Sequence, residues 1–426
     1  MTQSSSVRAP ASLSCFDLGE QMLSVDEART ALATLVETPV GSERIALTRA
    51  HGRRLADAIH APINVPQNTN AAMDGVALAW ENAEQTYWAL SGTVFAGECF
   101  DDRVPAGRCV TITTGAPLPA GTDTVIMREQ LEEHDDHVII NAPERVKRGQ
   151  NVRQAGEDIR EGAMALTAGT RLDAARLGLL ASLGYAEVSV YCRPQVAVFS
   201  TGNEVTAPGE SLPAAGIYDT NRFTLTGLLQ EHGAEVIDLG ILPDDADAIR
   251  EALAHSAETS DLVLTSGGVS VGQADFTRDA LQALGQLAFW RVAIRPGRPL
   301  ACGQLGKRRT PLVGLPGNPV AVMVTFLQFV VPLLQRLEHQ PVASPRRLTA
   351  VTDEPLSSRL NRCDFIRGVY QSDAAGQLHV RSTGAQGSGI LTSMAAANCL
   401  IELPDERAGA APGETVTIQP LDSVNR

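Results

Sequence analysis

The chain lacks the features that mark several classes of protein. Its seven cysteines are dispersed and form no C-x-x-C pair, so zinc or iron–sulphur ligation has no support in the sequence. Acidic residues outnumber basic ones, 49 to 35, and the net charge of -14 argues against a nucleic-acid-binding protein. An odd, scattered set of cysteines is typical of reduced thiols, so we expect a cytoplasmic protein.

Long hydrophobic runs are also missing. Asp17 and Glu20 lie where a signal peptide would need apolar residues. The most apolar stretch, Val320–Leu334, is short for a bilayer span and is interrupted by polar residues and a proline. It therefore predicts a buried helix, and we expect no association with a membrane.

What is present predicts a folded chain of several domains. At 426 residues and 44% hydrophobic content, two to four domains are expected. Ser24 and Glu27 form the pattern of a capping box that begins an amphipathic helix. From about residue 45 to 190 the pattern is mixed and rich in strands. A helix over Leu172–Gly184 should end at its glycine.

Near Val196 the pattern changes to short apolar strands separated by helices. The strand segments are "VAVFS", "AEVIDLG", "DLVLTSGG" and "PLVGLPG". Strands that alternate with helices of this length indicate βαβ units and a parallel sheet covered on both faces. After about residue 342, short strands return and predict a small β domain. The predicted fold class is α/β and β multidomain, with domains at residues 20–190, 191–341 and 342–426.

Ligands of a doubly wound sheet bind beyond the carboxyl ends of its strands, and acids follow three of the predicted strands. Glu204 lies in "STGNEV", Asp244 in "ILPDDAD" and Asp275 in "SGGVSVGQADF". The last of these loops, and "GLPGNPVA" after a fourth strand, are rich in glycine. Each acid alone fits a helix cap, but their coincidence at one edge indicates phosphate bound through a cation such as Mg²⁺.

The segment "GVSVG" also matches G-x-S-x-G, the nucleophile pattern of serine hydrolases, with Ser270 as the nucleophile. That pattern requires a helix to begin directly after the serine, whereas Asp275 is the better helix start here. The possible partners, Asp364 and His379, fall in the predicted β domain. We keep a serine hydrolase only as an alternative. The P-loop and the dinucleotide-binding glycine pattern are both absent.

Three arginines cluster in "WRVAIRPGRPL": Arg291, Arg295 and Arg298. A solvated turn would account for them. The predicted strand "LAFWRVAI" runs into this cluster, however, and would hold some of these guanidinium groups rigidly, as binding of an oxyanion or a phosphate requires.

Together these segments resemble the molybdopterin molybdenumtransferase family, which includes MoeA and the E domains of gephyrin and of its plant counterpart. The resemblance runs from about Ser24 to the end of the chain. It is carried by the motifs "AAMDGVA", "TTGAPLPAGTDTVIMRE", "NVRQAGED", "STGNEV", "IYDTNR", "SGGVSVGQADF", "IRPGRPL", "GLPGNP" and "DFIRGVY".

The resemblance implies an enzyme of molybdenum cofactor biosynthesis. Members insert molybdate into adenylated molybdopterin and release AMP in a Mg²⁺-dependent step. The family fold has an elongated mixed N-terminal region of two interleaved α/β subdomains, a central α/β domain and a C-terminal β-barrel-like domain. Members form homodimers with the site between subunits. The resemblance also implies transient contact with the molybdopterin adenylyltransferase and with downstream cofactor-handling proteins.

The resemblance also implies a set of site residues. Those matching family catalytic positions are Asp74, Thr114, Glu204, Asp244 and Asp275, and the metal ligands among them are Glu204, Asp244 and Asp275. Those matching substrate-binding positions are Asp158, Ser270, Arg291, Arg295, Arg298, Pro316, Pro319, Arg367 and Ser388. Arg295, Arg298, Arg367 and Ser388 form a chemically suitable shell for molybdate, a tetrahedral dianion.

The chain departs from the usual family pattern near this site. The three clustered arginines stand where the family usually has lysine. Other altered positions are Asn68, Thr69, Ala71, Val76, Asn203 and Ala321. These changes leave open a divergent paralogue with another metal preference. A non-catalytic scaffold is a further alternative, since gephyrin also clusters receptors.

Overall fold

The structure is a computed structural model that describes residues 22–81, 85–243, 245–267 and 284–421. It divides the chain into two compact units. Glu43–Val190 forms one, which we call the inserted unit. The chain up to Ser42 and from Tyr191 onward forms the other, the main unit. The three-domain division made from the sequence stays a prediction.

A six-stranded sheet with a core on each face dominates the inserted unit. The alternation of strand side chains splits neighbouring residues between the two cores: Val76 and Leu78 pack with Trp88, whereas Ala77 packs with Val110. Both faces are therefore closed, which explains why Gly75–Leu78 is buried throughout. The strands in sheet order are Thr124–Met127, Gly75–Leu78, Arg108–Ile112, Tyr87–Val94, His137–Ile140 and Leu131–Glu133.

A third core in this unit surrounds the helix Ala174–Ser182. Asp173 caps it by accepting a hydrogen bond from the Arg176 N–H at 2.9 Å, and Gly184 follows its end, as predicted. Short ladders complete the unit: Ser42–Ala46 with Glu187–Tyr191, Ile59–His60 with Met164–Leu166, and Asn70–Ala71 with Val152–Arg153. Three 3₁₀ turns cover Leu47–Arg49, Arg128–Gln130 and Pro143–Arg145.

The main unit is built on a seven-stranded sheet, and the predicted mostly parallel α/β domain is confirmed. The sequence does not predict the strand Pro299–Leu305, which runs antiparallel to both its neighbours. The strands in sheet order are Met22–Leu23, Gly285–Val292, Pro299–Leu305, Thr310–Leu315, Leu262–Ser266, Gln195–Thr201 and Glu235–Leu242. The last four are mutually parallel, so their carboxyl ends share one edge.

Helices cover both faces of this sheet. Ala246–Thr259 packs Ile249 and Leu253 against one face. Val25–Ala33, Asn221–Glu231 and the long apolar helix pack against the other. The predicted capping box is present: the Glu27 N–H donates to Ser24 Oγ at 3.2 Å, and the Ser24 N–H donates to Glu27 Oε2 at 2.8 Å.

The apolar helix runs over Pro319–Leu337, with a π-helical turn at Phe326–Val330 between the α-helical segments Pro319–Thr325 and Val331–Leu337. Its 19 residues and mean hydropathy of 1.8 would suffice for a membrane span, but 72% of its most apolar window is buried inside the protein, as a core helix requires. Gln328 is fully buried there, where its amide donates to Gln419 and accepts from Arg29 Nη2.

The C-terminal β domain closes on itself as five strands, so the predicted barrel-like domain is confirmed. Around the ring these are Cys363–Ser372, Leu378–Ser382, Leu348–Thr352, Thr415–Pro420 and Cys399–Leu403. Ile294–Arg295 adds to the first of them in parallel, with Arg295 opposite Asp364. The remaining elements are the helix Leu391–Ala395 and the ladders Val205–Thr206 with Ile217–Tyr218 and Leu356–Ser357 with Gly409–Ala410.

Candidate active site

The carboxyl ends of the parallel strands bring glycine-rich loops together at one edge of the main sheet. Glu204 follows the strand Gln195–Thr201, and its carboxylate folds back over Gly202. Its Oε2 lies 2.7 Å from the place where a Cβ on Gly202 would be, and φ of that glycine is +130°. The exposed carboxylate can therefore lie against the strand end because residue 202 has no side chain.

Asn221 connects the ends of two other strands. Its Nδ2 donates to Ser266 Oγ and to the Gly317 carbonyl, both at 2.7 Å. Its Oδ1 is buried and accepts no hydrogen bond within the described part of the chain. Asp219 holds the start of the same helix, because its carboxylate accepts hydrogen bonds from Ser200 and Arg222. The side chains of Asp219 and Asn221, at the beginning of one helix, therefore hold the loops at the ends of these strands in place.

A cavity of about 750 Å³ lies between the central sheet and the barrel of the main unit. Arg295, Pro316, Arg367 and Ser388, all predicted from the resemblance, line it. The backbone N–H of Val320, at the start of the apolar helix, donates to the Ser388 carbonyl at 3.1 Å. The structure therefore brings these four predicted residues together around one space large enough for a small ligand.

Arg367 is the most unusual residue of this cavity. Its side chain is only 1% exposed and donates to neutral oxygens: Ser393 Oγ at 3.0 Å, Gly387 O at 2.9 Å and Ala385 O at 3.3 Å. Within the described ranges no acidic side chain pairs with it. Burial, and then the like charge of Arg295, lower the pKa of the Arg367 guanidinium from its usual value. A buried cation without a counter-charge favours an anionic ligand.

Arg295 and the neighbouring acid Asp364 form the other charged group of the cavity. Arg295 Nη1 donates to Asp364 Oδ2 at 3.2 Å. Asp364 is 2% exposed, and Arg362 Nε lies 3.6 Å from its Oδ1. The Arg295 side chain is nearly half exposed. A cation that is both anchored and accessible can contact a bound anion.

The other two clustered arginines lie elsewhere. Arg298 is exposed, with Nη2 3.8 Å from Met22 Sδ, and Arg291 is an exposed residue of the strand Gly285–Val292. Neither lines the cavity, and Pro319 begins the apolar helix beside it. Of the arginines in "WRVAIRPGRPL", the structure therefore brings only Arg295 next to Arg367 and Ser388.

The inserted unit carries a second group of predicted residues. Asp74 Oδ1 accepts hydrogen bonds from the backbone N–H and the hydroxyl of Thr114, both at 2.7 Å. The Thr114 N–H, and then its hydroxyl, hold the pKa of Asp74 below its usual value. Asp158 is exposed, and its backbone N–H donates to Val65 O. Asp74 is therefore an exposed, firmly oriented carboxylate.

A smaller cavity of about 310 Å³ lies beside this pair, and sequence reasoning gave no sign of it as a cavity. Gln67, Asn68 and Asn70 line it together with Glu98 and Cys99. Of these residues, Asn68 is one of the positions that depart from the family pattern.

Three predicted residues, Asp244, Ser270 and Asp275, lie outside the described residues. No group of three or more acidic, histidine or cysteine residues suited to a metal occurs within those that are described. At the strand ends, the described oxygens without a hydrogen bond include the exposed carboxylate of Glu204 and the buried Oδ1 of Asn221. Oxygen is the kind of ligand that Mg²⁺ prefers, so the chemistry of these two groups is compatible with that ion.

The partners considered for a serine hydrolase are separated in the structure. His379 pairs with Asp353 at 2.7 Å, whereas Asp364 pairs with Arg295. In the sheet His379 lies opposite Gln371, seven residues along the strand from Asp364, which corresponds to about 23 Å. Asp364 and His379 therefore lie at opposite ends of two neighbouring strands, and their separation counts against the serine hydrolase alternative, as their place in the sequence already did.

The His379 pair makes the stability of the barrel depend on pH. The hydrogen bond with Asp353 raises the pKa of His379 above its usual value of 6.5. The protonated pair thus stabilises the fold fully below about pH 6.5, and this contribution is lost as pH rises through the raised pKa. We expect the thermal midpoint of His379→Gln to lack this pH dependence, whereas exposed His255→Gln should retain it. Parallel pH profiles for His379→Gln and the parent would contradict this.

Comparisons with known proteins agree across the whole chain. Three family models match consecutive parts: the MoeA N-terminal region (domain I and II) over residues 23–184, a probable molybdopterin binding domain over 197–336, and the MoeA C-terminal region (domain IV) over 349–421. The molybdopterin molybdenumtransferase of Haemophilus influenzae is 42% identical over 94% of this chain and 99% of its own length.

More distant relatives cover nearly as much of the chain. Molybdopterin molybdenumtransferase 2 of Mycobacterium tuberculosis is 32% identical over 94% of this chain and 100% of its own. Gephyrin of Dictyostelium discoideum is 30% identical over 90% of this chain and 60% of its own. The crystal structure of the molybdopterin biosynthesis moeA protein from Pyrococcus horikoshii OT3 matches with a TM-score of 0.80 and 29% identity, over 94% of this chain and 100% of that one.

Proposed function

The chain belongs to the MoeA family of molybdopterin molybdenumtransferases, and this family acts in molybdenum cofactor biosynthesis. From that premise we propose that the protein inserts molybdate into adenylated molybdopterin with release of AMP. The Haemophilus relative carries the name of this enzyme, and the coverage of both chains is almost complete. The proposal includes dependence on Mg²⁺ and a cytoplasmic homodimer that meets the adenylyltransferase and later cofactor-handling proteins transiently.

The buried guanidinium of Arg367 is the observation that carries the proposal. It lines the 750 Å³ cavity with no acidic partner in the described ranges. Leaving a charge buried and unpaired is costly, so a dianion at this place would regain much of that free energy. Molybdate has the charge and the oxygen acceptors that a guanidinium fork requires.

Each neighbour has a separate part in holding the anion. Arg295 offers the second guanidinium, and the hydroxyl of Ser388 can donate to a third oxygen from the loop that Val320 holds in place. The Arg367 side chain stays in one position when the anion binds, because three hydrogen bonds fix its guanidinium group. A fixed donor set orients molybdate before the reaction and avoids the cost of rearrangement during it.

The strand ends would hold the nucleotide part of the substrate. Glu204, with Asp244 and Asp275, would hold Mg²⁺ beside the glycine-rich loops, and backbone N–H groups there can approach phosphate closely. When bound, the cation would neutralise phosphate charge as AMP leaves. In the inserted unit, Asp74, Thr114 and Asp158 would contact substrate, with Asp74 held as a carboxylate by Thr114.

An activity assay tests the proposal directly. The purified chain with adenylated molybdopterin, molybdate and Mg²⁺ should release AMP and yield a cofactor that activates a molybdenum-free apo-enzyme. Omitting molybdate should abolish activation, and chelating Mg²⁺ should suppress AMP release. If neither product forms with substrates that another family member converts, the proposal fails.

Substitutions at Arg295 test whether the cavity needs a guanidinium or only a charge. We expect Arg295→Lys to bind molybdate more weakly than the parent but more tightly than Arg295→Ala, because one ammonium replaces two aligned donors. Calorimetric titration of the three proteins measures this order. The exposed Arg381, which does not line the cavity, gives the matched control: Arg381→Ala should bind as the parent does. Equal affinities across the Arg295 series would remove that residue from the site.

A further inference from the structure

Asp364 is a buried carboxylate whose two oxygens are unequally satisfied. Oδ2 accepts one hydrogen bond, from Arg295 Nη1 at 3.2 Å. Oδ1 is buried and accepts none, and Arg362 Nε, 3.6 Å away, is buried and donates none, within the residues that the structure describes. A donor and an acceptor that each lack a partner therefore face each other just beyond hydrogen-bond distance.

These distances leave the carboxylate with unused capacity. Bonds from a guanidinium to a carboxylate are usually about 2.7–2.9 Å long, and the two oxygens can accept about four of them. The single bond from Arg295, at 3.2 Å, is longer than this range, and the Arg295 side chain is 46% exposed. Asp364 therefore holds Arg295 loosely through Oδ2, and Arg362 lies close to its other oxygen, Oδ1.

We propose that Asp364 holds Arg295 while the cavity is empty, and that Arg362 replaces Arg295 on Asp364 when an oxyanion draws Arg295 into the cavity. We call this a guanidinium exchange; it rests on the proposed function, since it assumes an oxyanion in this cavity. Arg362 must move by less than 1 Å to reach hydrogen-bond distance, judged from its present 3.6 Å and a usual length of about 2.8 Å.

The exchange has a physical reason. If Arg295 turned to the anion alone, Asp364 would remain buried at 2% exposure without a hydrogen bond, which is a costly state. Arg362 removes that cost by closing onto Oδ1. A lysine at position 295, as the family resemblance has it, would offer one nitrogen and no second terminal nitrogen for the cavity, so arginine suits a side chain that changes partners.

The proposal predicts effects of opposite sign for two neighbouring residues. Asp364→Asn removes the competitor for Arg295 while keeping an acceptor oxygen, so the anion should bind about tenfold more tightly. Arg362→Gln leaves Asp364 without a replacement partner, so the anion should bind about tenfold more weakly. Damage to the fold would weaken binding in both variants.

A plain effect of charge could also give these signs, and the double variant separates the two explanations. If the charges act independently, the two changes in binding free energy add. If Arg362 acts through Asp364, Arg362→Gln should have almost no effect once Asp364 is asparagine. Arg381 is an exposed arginine of the same barrel, so Arg381→Gln is the matched loss of charge and should bind as the parent does.

The experiment is a calorimetric titration of tungstate, a stable tetrahedral dianion, into the full-length parent, the two single variants, the double variant and Arg381→Gln. The kinetic counterpart is the assay with molybdate, where Asp364→Asn should lower KM and kcat together because Arg295 releases the anion more slowly. Additive effects in the double variant, or an Arg362→Gln protein that binds as the parent does, overturn the exchange alone. A parent that binds neither tungstate nor molybdate overturns the proposed function as well.

Discussion

Arg367→Met is expected to lower molybdate affinity at least 100-fold while the stability of the protein stays close to that of the parent. The loss follows because the substitution removes the only buried guanidinium that lines the cavity among the described residues. Removing one partner of a desolvated charged contact typically costs 2–5 kcal/mol of binding free energy, and about 2.7 kcal/mol corresponds to 100-fold.

The effect on stability is expected to be smaller than for most core substitutions of this size. Arg367 makes three hydrogen bonds to neutral oxygens, each with a net contribution of about 1.5–3 kcal/mol because the donor is charged. Against them stands the cost of burying an unpaired cation, which is several kcal/mol in real proteins. Methionine fills a similar volume without that cost. These two terms are of similar size, so the unfolding free energy in urea should stay within about 2 kcal/mol of the parent.

Arg347→Met is the matched control for this variant. Arg347 lies in the same domain and makes two hydrogen bonds to the carboxylate of Glu402, at 2.7 and 2.9 Å, outside the cavity. Its replacement should reduce stability because Glu402 loses its cation, and it should leave molybdate binding unchanged. If Arg367→Met binds molybdate like the parent, the cavity is not the oxyanion site.

The sequence could predict the position of Glu204 because parallel strands impose it. Glu204 lies where the strand pattern places it, since strands of a doubly wound sheet end at one edge. The link made by Asn221 to Ser266 and Gly317 could not be predicted, because it joins residues 45 and 96 positions away across loops that have no periodic pattern. Only the closed fold brings those atoms together.

The residues that line the cavity could be predicted only in part from the sequence, for the same reason. The cluster of three arginines predicts an anion site, but side-chain direction after a turn is decided by local pairing, and only Arg295 lines the cavity. Its pairing depends on a two-residue strand that joins the barrel, with Arg295 opposite Asp364. The roles of Arg362 and Asp364 depend on the contact between Arg295 and Asp364. These two residues are 69 positions apart in the sequence, so no local pattern predicts that contact.

Gly75→Ala is expected to cause the largest loss of stability. Gly75 begins a central strand of the inserted unit, with φ at +157°, and a Cβ there would lie 1.8 Å from the backbone oxygen of Ile126 in the neighbouring strand. A backbone oxygen in a sheet cannot move aside as a flexible side chain can. The strands would have to separate, which we expect to cost more than about 4 kcal/mol.

The substitution should also disturb the adjacent acid. Asp74 precedes Gly75, and its backbone carbonyl accepts a hydrogen bond from the Arg128 N–H at 3.1 Å, just after the strand that contains Ile126. Separation of these strands would displace Asp74 from Thr114, so activity should fall even at temperatures where the variant is folded.

Gly149→Ala is the matched control, since that glycine also has positive φ, +79°, but nothing lies within 4 Å of its added Cβ. Its cost should be about 1 kcal/mol, from backbone strain alone. Urea unfolding of the three proteins measures both losses, and equal midpoints for the two variants would show that the close approach to Ile126 does not limit residue 75.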